Sequence, residues 1–274
     1  MKTKYKKVFS TAIIIFIALI TIIGLSGSTF FVSSENQKKN SETENEPKNN
    51  YQMERIFLKT SDDIQIAADY SKVDKSKYSE PKAWLVLIHM MPETKESWAG
   101  FSSQLRESGY ESLAIDLRGH GESQFGPEGF GGFSDADHQK SIFDVDAAVE
   151  FLKDKGAAPE KIFFIGASIG ANLSLQYISE HPEFKTAVLL SPGLDYRGIK
   201  TEPMVKNLKP GQRVLFVSSQ DDFGNSPQSK TLYNEAADGV KKQIEIYETG
   251  GHGTNILKNQ PGSTNLIIKF LQNE

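Results

Sequence analysis

The 274-residue chain contains no cysteine. That absence excludes disulfides, cysteine-ligated zinc, a thiol nucleophile and a lipidated N-terminal cysteine, so a nucleophile or a compartment signal must be carried by other residues. Positive charge is not in excess: 31 lysines and arginines against 35 aspartates and glutamates leave a net charge of −4. Such a balance creates no basic field for a phosphate backbone, and nucleic acid is not expected as a partner. Histidine occurs five times. His138, in "SDADHQ", has carboxylates beside it but no second histidine close in sequence, so no metal-ligand set is read there. Hydrophobic residues make up 38% and charged residues 24%, enough apolar material for a soluble globular domain with a sizeable core.

Long uncharged apolar runs are missing except at the N-terminus. There Lys2, Lys4, Lys6 and Lys7 precede "VFSTAIIIFIALITIIGL", which reads as an export signal that leaves its lysines in the cytoplasm and the rest of the chain outside. The favoured form over 1–32 is an uncleaved single-pass membrane anchor, since "STFFV" extends the run to a spanning length. The alternative is a signal peptide cut near Ser26-Gly27-Ser28, with a secreted product. The polar stretch 33–53 has too little apolar surface to offset its ordering entropy and reads as a disordered linker. A catalytic domain is expected over 54–274.

Within that domain strand-like and helix-like signals alternate. "RIFLKT" and "DIQIAADYS" suggest a strand pair joined at Ser61-Asp62, and "AWLVLIHM", "YESLAID", "KIFFIGA", "TAVLLS", "QRVLFVSS" and "KQIEIYE" read as further strands. Helices are expected at "KESWAGFSSQLRESG", "SIFDVDAAVEFLKDKG", "ANLSLQYISEH", "SPQSKTLYNEAA" and "STNLIIKFLQN". The fold class is therefore α/β, a doubly wound and mainly parallel sheet with helices on both faces. The segment between "TAVLLS" and "QRVLFVSS" has room for a helix but not for a large lid.

In "KIFFIGASIG" a strand runs into Gly166, Ser168 and Gly170, and a helix follows at once. A hydroxyl between two glycines at a strand-to-helix bend suits a nucleophile. It also suits a tight connection whose glycines serve packing and whose serine caps the helix. A serine needs a base to take its proton and an acid to orient that base. In this topology the order is Ser, Asp or Glu, then His. Only His252, in "TGGHGTN", comes late enough to be the base. Asp221 and Asp222 follow "QRVLFVSS"; spacing from the strand favours Asp222, with Asp195 of "SPGLDY" a third candidate.

From about Glu54 to its C-terminus the chain resembles the α/β-hydrolase fold family. The likeness rests on "LVLIHM", "AIDLRGHGES", "GASIG", "VLFVSSQDD" and "GGHGT", which stand in family order. The resemblance implies that the backbone N–H groups of Met91 and Ile169 form an oxyanion hole. It departs at Met90, where glycine is usual, which reduces the freedom of that loop's backbone. His89 is expected to pin the loop, and Asp116, Arg118 and His120 to form a hydrogen-bonded structural turn. "QFGPEGFGGFSD", with Phe125, Phe130 and Phe133, is either an aromatic wall near the pocket or a solvated loop. Serine at the elbow argues against relatives that use aspartate (dehalogenases, epoxide hydrolases) or cysteine (dienelactone hydrolases).

The implied activity is that of an extracytoplasmic serine hydrolase, a carboxylesterase acting on small or accessible acyl esters without a cofactor or metal. Thioesterase, acyltransferase and lipase-like chemistry on the same three residues stay open, as does a surface ligand-binding protein without turnover. The expected partners are a small acyl ester and, through the N-terminal segment, the membrane.

Overall fold

Alternate residues along the central strands enter opposite halves of the core, which is why these strands are apolar almost without interruption. In order along the chain the strands are β1 (Met53–Lys59), β2 (Gln65–Ser71), β3 (Trp84–Ile88), β4 (Glu111–Ile115), β5 (Ile162–Ala167), β6 (Thr186–Leu190), a short ribbon β7 (Asp195–Tyr196) and β8 (Ile199–Lys200), then β9 (Arg213–Ser219) and β10 (Lys241–Tyr247). Helices α1 (Ala99–Glu107), α2 (Asp135–Gln139), α3 (Ile142–Asp154), α4 (Ile169–Glu180), α5 (Thr201–Asn207), α6 (Asn225–Glu235), α7 (Asn255–Asn259) and α8 (Gly262–Gln272) connect and flank them. The computed structural model describes residues 53–123, 125 and 128–272, all within the unit Asn49–Glu274. The expected anchor or signal at 1–32 and nearly all of the expected linker lie outside the described residues; Met53 already belongs to β1. Among the described residues no helix is long and apolar enough to cross a membrane.

Eight strands form one sheet in the order β1-β2-β4-β3-β5-β6-β9-β10. The hairpin β1–β2 joins antiparallel to itself and to β4, and every other pairing is parallel. Val86, Ile88, Ile162, Phe164, Val214 and Phe216 enter one half of the core with α3, α4 and α6. Leu85, Leu87, Phe163, Ile165, Leu215 and Val217 enter the other with α1 and α8. The expected α/β class is therefore met. In the segment between β6 and β9 the room left for a helix holds the ribbon β7–β8 and α5. The expected helix at "KESW" starts instead as a 3-10 turn, Lys95–Trp98, and becomes α-helical at Ala99. Its entry is fixed by the Lys95 backbone N–H and Nζ, which both donate to buried Asp116 at 2.7 Å.

The loops after β3, β5, β6, β9 and β10 all leave from the carboxyl ends of parallel strands. That edge is where an open α/β sheet gathers functional side chains.

Candidate active site

Ser168 sits between β5 and α4 with φ 54° and ψ −117°, a conformation that a residue with a side chain rarely adopts. The two glycines explain how the bend is possible. A Cβ on Gly166 would lie 2.0 Å from the Gly170 carbonyl oxygen, and one on Gly170 would lie 2.2 Å from the Ile88 carbonyl oxygen. Backbone passes too close at both positions for any side chain. Ser168 does not cap α4 through its side chain, although it occupies the cap position. The glycines thus serve packing, while the serine has no helix-capping role. Its backbone N–H is held by the Leu190 carbonyl at the end of β6, at 2.8 Å.

The loop after β9 presents two adjacent carboxylates to the loop after β10, and they do different things. Asp222 Oδ2 lies 2.7 Å from His252 Nδ1. Asp221 accepts from the Gly250 and Gly251 N–H groups at 3.1 and 3.0 Å, holding the backbone just before the imidazole. The Ser219 hydroxyl, which also serves the Gly251 carbonyl, and those two N–H groups keep the Asp221 carboxyl below the ordinary carboxylate range. Asp195 is spent locally, its Oδ1 accepting from the Gly198 N–H at 2.7 Å. Of the three candidate acids, Asp222 is the one that meets the imidazole.

His252 reaches the elbow through its neighbour. The Gly253 N–H donates to Ser191 Oγ at 2.9 Å. A Cβ on Gly253 would lie 2.5 Å from Met90 Sδ and 3.2 Å from the Cβ of Ala167, the residue before Ser168. The histidine loop is thereby packed against the elbow strand. No hydrogen bond joins Ser168 Oγ to His252 in this arrangement. The Tyr196 ring stands edge-on to the imidazole, 6.3 Å between centroids, and its hydroxyl accepts from Asn225 Nδ2 at 3.1 Å.

Comparison with known proteins agrees with this fold. The family model for serine aminopeptidases, S33, matches residues 79–213. An esterase of Pyrococcus furiosus superposes with a TM-score of 0.64 at 17% identity, over 81% of this chain and 91% of that one. An esterase from Exiguobacterium antarcticum gives 0.63 at 13% identity, over 79% and 99%. The acylaminoacyl peptidase of Pyrococcus horikoshii gives 0.65 at 19% identity, over 81% of this chain but 41% of that one. No curated protein matches the sequence. The chain has the α/β-hydrolase fold.

Seen as an α/β hydrolase, the chain departs from the family pattern at Met90 without backbone strain: Met90 is not among the residues with positive φ. Its buried side chain instead fills the space beside Gly253. The Met91 N–H has no acceptor among the described residues. The Ile169 N–H opens α4 and so lacks an acceptor one turn back.

His89 is buried and pinned. Its Nε2 accepts from the Leu117 N–H at 3.0 Å, so the ring proton sits on Nδ1 and is donated to the Met90 carbonyl at 2.9 Å. Burial lowers its pKa to about 3. In the next loop Asp116 holds Lys95 and the Glu122 N–H. Arg118 bridges Asp144 and Asp62. His120 stacks on Phe130 at 4.0 Å, and burial lowers its pKa. These contacts make the segment a structural turn. Phe125 and Phe133 meet edge to face at 4.9 Å, and His138 packs against Phe133. The aromatic segment therefore packs on itself and on that turn; its Gln124, Gly126 and Pro127 lie outside the described residues. Among the described residues no group of three or more His, Asp or Glu is placed to hold a metal ion.

Sequence reasoning passed over three residues of the site: Ser191, Tyr196 and Asn225. The turn signals "SPG" and "RG" around "LDY" mark a tight ribbon. They do not tell which way its tyrosine faces.

Proposed function

We propose that this α/β hydrolase is a serine esterase that acts through an acyl-enzyme on Ser168. The observation that carries the reading is the 2.7 Å contact of Asp222 Oδ2 with His252 Nδ1, made by a loop packed against the elbow. A carboxylate at Nδ1 keeps the ring proton there and leaves Nε2 free to accept one. Ser168 Oγ then attacks the ester carbonyl as its proton passes to Nε2, and His252 returns that proton to the departing alcohol. The N–H groups of Met91 and Ile169 receive the oxyanion. Water, deprotonated by His252, frees the acid and restores Ser168. No cofactor takes part.

Esters rather than amides are favoured because the segment between β6 and β9 is short and two of the similar structures are esterases. The charged start and apolar run of 1–32 support a catalytic domain outside the cytoplasm, anchored by that segment. Fractionation checks this, because soluble protein beginning near Thr29 would refute the anchor. Nitrophenyl esters of increasing acyl length test the activity: wild type is expected to turn over at least one of them, and Ser168→Ala none. A surface protein that binds without turnover is the second reading, favoured by the missing Ser168–His252 hydrogen bond; it requires every member of the panel to stay intact.

A further inference from the structure

The strand register carries one row of residues across the whole sheet. Met53 pairs with Ser71, Ser71 with Ser112, Ser112 with Leu85, and Leu85 with Phe163; Phe163 continues through Thr186 and Arg213 to Lys241. This row lies at the amino ends of the parallel strands, whereas Ser168, Asp222 and His252 follow their carboxyl ends. At the rise of a strand, the two edges stand roughly 20 Å apart. The chain before Met53 therefore joins the domain on the edge opposite the catalytic residues.

Two adjoining cavities open on that amino edge, of about 410 and 230 Å³, and both are lined by Lys161 and Phe163. Lys82 lines the first, and Lys185, Arg213 and Lys241 line the second. Among the described residues Glu160 is the one carboxylate that lines either. Arg213 is buried and spends its guanidinium on the Phe270 and Leu271 carbonyls at the end of α8. Lys82 Nζ donates to the Ser108 carbonyl at 2.8 Å and sits over the Tyr110 ring, and Lys185 Nζ donates to the Pro182 carbonyl. Among the described residues none of Lys82, Lys185 and Lys241 has a carboxylate partner.

We propose that this edge is a docking surface for anionic lipid headgroups, which holds the domain with its catalytic edge turned away from the bilayer. The inference rests on the anchor reading above. Two observations choose this occupant. Lysines gathered on one edge of a chain whose net charge is −4 are complementary to an anionic surface. The same edge receives the chain that leads from the expected anchor, so lysines and tether meet the membrane together. One anchor fixes distance and leaves orientation free; basic side chains at an anionic bilayer supply the second attachment that fixes it. Ser168 then faces the aqueous side, and its esters come from solution rather than from the anchoring membrane.

The test uses the full chain reconstituted in vesicles of phosphatidylglycerol or of phosphatidylcholine, with lysine acetylation by a soluble reagent mapped by mass spectrometry. Lys82, Lys161, Lys185 and Lys241 are expected to react about threefold more slowly in phosphatidylglycerol, and about 1 M sodium chloride should remove the difference. Lys59, at the end of β1, and Lys258, in α7 beyond His252, should react alike in both lipids. In the triple variant Lys82→Glu, Lys185→Glu, Lys241→Glu the lipid dependence at Lys161 should vanish, with nitrophenyl ester turnover unchanged. Equal reaction in the two lipids, or protection of Lys59 and Lys258 instead, would overturn the docking edge; the anchor reading survives if the protein stays with the vesicles in high salt. Protein released by high salt would refute the anchor. Protection of the four lysines at low salt would then still support the docking edge, and its absence would overturn both.

Discussion

Asp222 and His252 are joined at 2.7 Å, oxygen to Nδ1, while the neighbouring Asp221 holds the backbone of the same loop two residues earlier. Two adjacent carboxylates thus divide one task, Asp222 meeting the imidazole and Asp221 setting the path of its loop. Asp222→Asn places an amide where the carboxylate accepts. It is expected to lower kcat by about 10³–10⁴ with little change in stability. Asp221→Asn, which leaves the imidazole contact alone, should cost much less activity. Steady-state kinetics on both variants separate the two roles.

The elbow glycines predict a contrast in stability. Gly166→Ala forces a methyl to 2.0 Å from a backbone oxygen that cannot rotate away, and a loss of at least about 3 kcal/mol is expected. Gly100, in α1, has nothing within 4 Å of a built Cβ. Gly100→Ala should therefore stabilise the protein by about 0.5–1 kcal/mol through helix propensity and a less flexible unfolded chain. Urea midpoints for the two variants should move in opposite directions.

Gly253 carries a different load. With φ 57° and Met90 Sδ 2.5 Å from where a Cβ would stand, Gly253→Ala must displace the loop that holds His252. A shift of that kind is expected to lower kcat/KM about a hundredfold. Met90→Ala in the same chain should recover part of the loss, because it removes the sulfur but not the positive φ or the Ala167 contact. The recovery, read as a double-mutant coupling, checks the packing of the loop on the elbow.

Burial of His89 predicts an acid-side loss of stability. Its pKa is lowered from 6.5 to about 3 on folding, so the unfolded chain takes up the proton first as the pH falls. Stability that is complete above about pH 6.5 is lost progressively from there toward pH 3. Between pH 7.5 and 5.0 this group alone costs about 2 kcal/mol. His89→Gln retains an acceptor for the Leu117 N–H without titrating. Its loss over the same interval, measured by urea unfolding, should be smaller than that of wild type by about this amount.

The sheet and most of the site were legible because their signals are local. The apolar runs of β3, β5, β6 and β9 need no partner to be recognised, and "GASIG" holds the steric requirement of the elbow within five residues. His252 emerged by order along the chain. Asp221 and Asp222 are neighbours in one loop, and no periodicity says which of them turns toward a strand end reached thirty residues later. Tyr196 was hidden for a stronger reason. Its direction depends on Gly193, Asn172 and Asn225, residues from three parts of the chain whose convergence exists only once α4 and α6 are packed. Met90, read as a departure that stiffens its loop, proves to fill the space above a glycine far along the chain.

The central claim is that Ser168 is an activated nucleophile. The direct measurement is treatment of the full-length protein with a fluorophosphonate probe, followed by mapping of the adduct by mass spectrometry. A single adduct on Ser168, absent in Ser168→Ala and strongly slowed in His252→Ala, is the predicted result; no adduct, or one on another residue, contradicts the account.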